Sequence, residues 1–253
     1  MDWVAVPRRG HVMNSKDAAQ QALVAALRRG DIRAVFQPIW TIQGQCVGFE
    51  ALSRFANGCP PDRVWDYAER VHQVMRLDRI AIQQAVRSAY GLMGKLFLNI
   101  RAVHLTAAST LPFLGSPNRI IWEITESQVA DQDGASGSLW LRQQGYALAL
   151  DDAGSGCSTP HRLDWLRPQI VKIDSNVVQE WAQGSPEGLR RWIAAARAIH
   201  AVVVAEGVEE RAWLEGLARE GIEAVQGYAL GRPASAPYWR AHTSYDQGQV
   251  GLS

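Results

Sequence analysis

Along this chain, one short apolar run after another closes on a carboxylate, an amide or a lysine. In order they are Val47-Gly48-Phe49-Glu50, Leu96-Phe97-Leu98-Asn99, Ile120-Ile121-Trp122-Glu123, Leu148-Ala149-Leu150-Asp151-Asp152, Ile170-Val171-Lys172-Ile173-Asp174, Val202-Val203-Val204-Ala205-Glu206 and Ala224-Val225-Gln226. A buried strand has no internal use for a charge, and an unpaired buried charge is very costly. A series of such ends, with helical stretches between, reads as one polar site at one rim of a parallel barrel.

The intervening chain supports that reading. Ala19, Leu23, Ala26 and Leu27 recur at helical spacing in a helix from about Ser15 to Arg29, with Gly30 as its stop. Two extended runs follow, Ala34 to Trp40 and Cys46 to Leu52, separated only by Thr41 to Gln45. A parallel pair needs a crossover of about a dozen residues, so these two strands are antiparallel neighbours. A stretch from about Asp62 to Tyr90 reads as helix in two pieces. Strands are then expected at Leu96–Ile100, Arg119–Thr125, Ala147–Asp151, Ile170–Asp174, Ala201–Glu206 and Ala224–Leu230, with the clearest helices at Gly137–Gln144, Pro186–His200 and Glu209–Glu220. The crossover after Asn99, with Pro112 and Pro117, is the least regular. The expected fold class is α/β, a TIM-like (β/α)8 barrel whose first strand runs against its second. Functional groups in such barrels sit at the C-terminal ends of strands. No linker divides the chain, so we expect an N-terminal tail at 1–14, one domain at 15–237 and a C-terminal surface tail at 238–253.

Composition bounds the function. Hydrophobic residues make up 47% of the 253 and charged residues 20%, enough for a core without disulfides or structural metal. The net charge of +1 gives no global field for nucleic acid or an anionic membrane, so neither is an expected partner. Cys46, Cys59 and Cys157 are odd in number and lack CxxC spacing, which favours a reducing, cytoplasmic setting. No run approaches the roughly 18 apolar residues of a membrane span, and Met1 to Lys16 lacks the apolar stretch of a secretory signal.

Converging at one rim, Glu50, Asn99, Glu123, Asp151 and Asp152 would make an all-oxygen cluster suited to a hard cation such as Mg²⁺ or Mn²⁺. Five such groups exceed what one Mg²⁺ usually draws from protein, and two ions about 3.5–4 Å apart can clamp both oxygens of a phosphoryl displacement. Lys172 would supply a cation to phosphate or attacking water. Glu206 is a candidate base or second-ion ligand, Gln226 a water- or substrate-orienting amide, and Arg54 a phosphate clamp. A solvated strand tip would explain any one of these residues alone. Adjacent Asp151 and Asp152 repel when ionised and make little structural sense without a cation between them. Gly154-Ser155-Gly156 lacks the third glycine of a dinucleotide fingerprint, Asp131-Gln132-Asp133-Gly134 is too short for an EF-hand, and the histidines show no HExxH.

These residues also resemble a family. Glu50-Ala51-Leu52 is the motif that names the EAL domains, in the context Phe36-Gln37-Pro38-Ile39 and Gly48-Phe49-Glu50-Ala51-Leu52-Ser53-Arg54-Phe55. Asn99, Glu123-Ile124-Thr125-Glu126, Asp151-Asp152-Ala153-Gly154-Ser155-Gly156, Lys172-Ile173-Asp174, Ala205-Glu206-Gly207-Val208-Glu209 and Gln226-Gly227-Tyr228 follow in family order over nearly the whole chain. The resemblance implies a phosphodiesterase that opens one bond of cyclic di-GMP to give pGpG, often as a homodimer. It implies metal binding by Glu50, Asn99, Glu123 and Asp151, with Asp152 helping a second ion. Lys172 and Glu206 would assist the attacking water, and Gln37, Arg54 and Gln226 would contact substrate. Glu126 would hold the aspartate loop, and Glu209 would support the same end.

Three positions depart from the family pattern. Ala153 stands where Phe is usual, Cys157 where Tyr is frequent, and Arg101 where a small residue, often Ser, follows Asn99-Ile100. None removes an implied metal ligand. The alternatives are a module that binds cyclic di-GMP without cutting it, a two-carboxylate barrel glycosidase and a partner-binding domain. The glycosidase leaves Asn99, Lys172 and Gln226 without a role, and nothing in the sequence speaks for the partner-binding domain.

Overall fold

The computed structural model describes residues 15–101, 115–125, 131–156 and 162–242. Among these, eight strands close into one barrel in sequence order: β1 (Ile32–Thr41), β2 (Cys46–Phe55), β3 (Lys95–Asn99), β4 (Ile120–Thr125), β5 (Ala147–Ala153), β6 (Ile170–Ile173), β7 (Val202–Ala205) and β8 (Ala224–Val225). Strand β1 is antiparallel to both neighbours, β2 and β8, and all other pairings are parallel. The expected TIM-like barrel with its reversed first strand is therefore what the chain forms.

Helix α1 (Ser15–Arg29), α2 (Pro61–Arg70) and α3 (Val74–Ser88) cover the long β1–β2 hairpin. Ala22, Leu23 and Ala26 of α1 share a buried cluster with Ile32 and Phe55 from the far ends of that hairpin. The crossovers carry α4 (Asp131–Gln143), α5 (Arg162–Leu166), α6 (Ser175–Ala182), α7 (Glu187–Ala198) and α8 (Trp213–Glu220). The short α5 and α6 were not evident from periodicity, since one or two turns are too brief to show it. Helix α8 starts four residues later than expected, and β8 stops after two residues instead of running to Leu230. Just past β8, Gly227 lies against a neighbouring backbone. A β-carbon there would lie 2.2 Å from the Val208 carbonyl oxygen.

Strand alternation splits the apolar residues into two sets. Outward-facing Phe49, Leu98, Trp122, Leu150, Val171 and Val203 pack with the helices in the main core. A separate cluster of Ile39, Phe97, Ile121, Ala149, Val204 and Ala224 plugs the barrel interior. Two residues further along the parallel strands, in the same inward phase, stand Asn99, Glu123, Asp151, Glu206 and Gln226. On reversed β1 the order inverts, and the polar Gln37 precedes Ile39. The apolar plug thus forms the floor and the polar residues the layer above it.

Past the last strand, the expected surface tail from Tyr238 begins instead as helix α9 (Ala236–His242). Trp239 is only 5% exposed. Its indole donates to the Phe36 carbonyl oxygen at 2.6 Å, and its ring centroid lies 5.9 Å from that of Phe49. Seven residues are too few to display a helical period, and one buried tryptophan anchors them. The crossover segment 102–114, Glu126 and Cys157 lie outside the described residues. Trp239→Ala should cost about 3–5 kcal/mol of unfolding free energy, read from urea denaturation; a loss under about 1 kcal/mol would show that α9 does not hold the barrel.

Candidate active site

The polar layer centres on Lys172, which is 0% exposed. Its ammonium lies 2.6 Å from Glu206 Oε1, 2.7 Å from Glu123 Oε1, 2.7 Å from Asp151 Oδ1 and 3.4 Å from Glu50 Oε2. Its approach to Glu123 Oε1 is as close as that to Asp151 Oδ1 and pairs the ammonium with a fully buried carboxylate. Lys172 reaches this position because Val171 and Ile173 point outward into the core, leaving the residue between them directed into the barrel.

Amides close the ring. Asn99 Nδ2 donates to Glu50 Oε1 at 3.3 Å and Glu123 Oε2 at 3.4 Å. Gln226 Nε2 donates to Glu50 Oε2 at 2.7 Å and to Gln37 Oε1 at 3.4 Å. Gln37 in turn donates to the Gly231 carbonyl oxygen at 3.1 Å. Gln37 and Glu50 are directly opposed in the β1–β2 register, so the hairpin itself brings them together.

Asp151 and Asp152 are consecutive, and a regular strand would aim them to opposite faces. Both nevertheless line the same cavity. The β5–β6 register shifts between Leu150 and Ala153, and Asp152 takes a left-handed φ of 54°. This bulge turns the second aspartate inward, and aspartate is among the few residues that tolerate such a φ. The resulting cavity, about 350 Å³, is also lined by Gln37, Glu50, Glu206, Glu209, Gln226 and Tyr228. Asp174 borders it too, but its carboxylate caps α6 by accepting from the Asn176 backbone at 2.9 Å and side chain at 2.8 Å.

Arg54 stands apart from this ring. It is exposed, donates Nη1 to the Ser53 carbonyl oxygen at 2.8 Å and lines an adjoining cavity of about 440 Å³. Asn99 and Arg101 line that second cavity as well, and Leu52 lines both spaces. Arg101 is ion-paired to Glu69 of α2 at 2.9 Å. Glu209 is exposed at the mouth of the first cavity. Of the expected residues, Glu126 alone lies outside the described part of the chain.

Among the described residues, two groups of three carboxylates could each hold a cation: Glu50, Glu123 and Asp151, and Asp151, Asp152 and Glu206. Within each group the ligand oxygens lie within 4.8 Å of one another, and Asp151 belongs to both. Oxygen donors only, with buried negative charge exceeding the single ammonium, suit hard divalent ions. The electrostatics agree. Burial pushes Glu123 and Glu206 well above the usual carboxylate range, against the pull of Lys172 and with the repulsion of Glu50 and Asp151. Burial alone would lower Lys172, but Asp151, Glu123, Glu206 and Glu50 together hold the ammonium well above its usual range. Burial, then the charge of Asp151, pushes Asp152 up to about 6.

With that geometry established, comparison with known proteins gives a consistent picture. The family profile described as EAL domain matches residues 20–233. A bifunctional diguanylate cyclase/cyclic di-GMP phosphodiesterase, MucR of Pseudomonas aeruginosa, is 28% identical over 235 residues, 83% of this chain and 34% of its own length. The probable cyclic di-GMP phosphodiesterase PdeN of Escherichia coli is 27% identical over 246 residues, 88% of this chain and 47% of its own. The chain thus spans about a third to a half of these relatives. The solved PaMucR phosphodiesterase in complex with c-di-GMP superposes with a TM-score of 0.76 at 25% identity, covering 87% of this chain and 98% of that one. An EAL domain protein from Listeria monocytogenes shares the fold, with a TM-score of 0.75 at 20% identity over 92% of this chain and 98% of its own. Among the described residues no helix is long and apolar enough to cross a membrane.

A raised carboxyl pKa means that the folded state binds its proton more tightly than the unfolded chain does. For Asp152 the window runs from its ordinary 3.8 to about 6. The metal-free protein should therefore lose stability from this group as pH rises through that window, and Asp152→Asn should remove that loss. The Tm of the variant minus that of the parent, measured in chelator, should widen as pH rises from about 4 to about 7. A gap constant with pH would contradict the buried, charge-crowded setting of Asp152.

Proposed function

Because the chain belongs to the EAL domain family, we propose that it is a metal-dependent hydrolase that opens one phosphodiester bond of cyclic di-GMP to give linear pGpG. The observation that carries this reading is the pair of carboxylate triads sharing Asp151 around one buried lysine. A receptor needs to hold a nucleotide, but nothing in binding alone calls for five acids at one ammonium, with the ammonium and three of the acids buried.

In this reading Glu50, Asn99, Glu123 and Asp151 hold one Mg²⁺ or Mn²⁺, and Asp151, Asp152 and Glu206 face a second. Such ions supply Lewis acidity to the scissile phosphate and acidity to bound water. The residues do the rest. Arg54, in the adjoining cavity, clamps a phosphate of the elongated anionic substrate. Lys172 offsets the negative charge that gathers on the phosphoryl oxygens as water attacks and the ester P–O bond breaks. Glu206, whose carboxylate is 2.6 Å from Lys172, takes the proton from that water. Gln226 and Gln37 fix the Glu50 carboxylate from the reversed-strand side. Glu209 supports the mouth of the cavity, and Glu126 anchors the aspartate loop. The protein acts in the cytoplasm as a homodimer, which light scattering of the purified chain would check.

Incubation with cyclic di-GMP and Mg²⁺ or Mn²⁺ should yield pGpG. Ca²⁺, larger and geometrically looser, should permit binding but suppress turnover. Glu50→Gln and Lys172→Met should each lower kcat by ~10²-fold or more, with the folded state checked by circular dichroism. Tight nucleotide binding without pGpG under either metal would favour the receptor reading, and near-normal turnover in both variants would refute the site assignment.

A further inference from the structure

The bulge that turns Asp152 inward is tied through its backbone at two points, with Ser155 N–H donating to the Asp152 carbonyl oxygen at 3.0 Å and Asp174 N–H to the Ala153 carbonyl oxygen at 3.1 Å. Asp152 sits at a left-handed φ of 54° and Gly154 at 98°, and the small Ala153 between them is fully buried. Side-chain support is added from behind the loop, where α6 and α7 converge. A β-carbon on Gly154 would lie 2.7 Å from Val177 Cγ2 and 2.8 Å from Trp192 Nε1, so the turn is pressed directly against both side chains. Trp192 is 0% exposed, and its indole N–H has no hydrogen-bond partner among the described residues. An unsatisfied buried donor is costly. The bulk of the ring, not its polar atom, is therefore what this position contributes.

We infer that Trp192 is a positioning residue, which holds the Asp151–Asp152 bulge in the geometry that lets both aspartates face a cation. The wide indole packs against Gly154, the residue that follows the small Ala153. Helix α7 thereby sets the aim of a carboxylate it does not touch. Groups one layer behind a metal ligand commonly act in this way, and their loss weakens metal binding about 10–100-fold. The inference rests on the metal-dependent reading of the site, but its decisive measurement uses no nucleotide.

The test compares Mn²⁺ binding by calorimetry, and kcat and KM for cyclic di-GMP, in the full chain and its variants. Trp192→Leu should weaken Mn²⁺ binding about tenfold or more and lower kcat by a similar factor, leaving KM within about twofold. Trp192→Phe, which keeps an aromatic plate without the N–H, should fall between Trp192→Leu and the parent. On an Asp152→Asn background, Trp192→Leu should cost clearly less than in the parent, because one of the two aspartates it acts through is already gone. Unchanged Mn²⁺ affinity in Trp192→Leu, or the same loss in both backgrounds, would overturn the inference and leave Trp192 as ordinary core. Should Trp192→Leu fail to fold, Val177→Ala removes the second support and is read by the same measures. A parent protein that binds Mn²⁺ but does not cut cyclic di-GMP would refute the proposed activity, and the Mn²⁺ measurements would still decide the role of Trp192.

Discussion

The buried ion cluster around Lys172 is the constraint to which the rest of the site conforms. One ammonium, sealed from solvent, faces carboxylates contributed by β2, β4, β5 and the end of β7. Burying any of these charges alone would be prohibitive, and burying them together is tolerable only while each finds a partner. The lysine thus lets four acidic strands meet before any divalent ion arrives. The balance is incomplete, since several carboxylates share one positive charge. Burial raises the proton affinity of Glu123 and Glu206 for the same reason, and a divalent cation would compete with protons there.

Strand alternation explains why this cluster does not destabilise the barrel floor. Apolar and polar residues occupy the same inward phase two positions apart, so one strand serves both layers. Reversed β1 obeys the same rule read backwards, with Gln37 ahead of Ile39. A parallel first strand would present its polar residue at the wrong height. The reversal is therefore compatible with one continuous polar ring, and the amide chain from Gly231 through Gln37 and Gln226 to Glu50 crosses the only antiparallel part of the barrel.

Most of the barrel was legible because buried strands that end on charges are rare for any other reason. Glu50, Glu123, Asp151, Lys172, Glu206 and Gln226 declare themselves this way. What stayed hidden depends on tertiary contact. The inward turn of Asp152 needs a register shift that no propensity encodes, although an Asp-Asp pair followed by Ala-Gly is its trace. Trp192 reads as ordinary apolar helix face, and its meeting with Gly154 exists only in three dimensions. Helix α9 is too short for periodicity, so Trp239 alone could have signalled it. The place of Arg54 in an adjoining cavity also follows from how α2 and α3 pack over the hairpin, not from its four-residue distance to Glu50.

The brevity of β8 bears on how the chain acquires its site. Strand β1 pairs with β2 across a four-residue turn through nine rungs, but with β8 through only Trp40–Val225 and Thr41–Ala224. The first pairing is local and fast to nucleate; the second joins segments almost at opposite ends of the sequence, at a high loop-closure cost. The cylinder is therefore complete only once this distant, two-pair seam has formed. Gln37 and Gln226 flank it, one on each side. The polar ring becomes complete only in the step that closes the cylinder, so assembly of the catalytic layer and completion of the fold are one event.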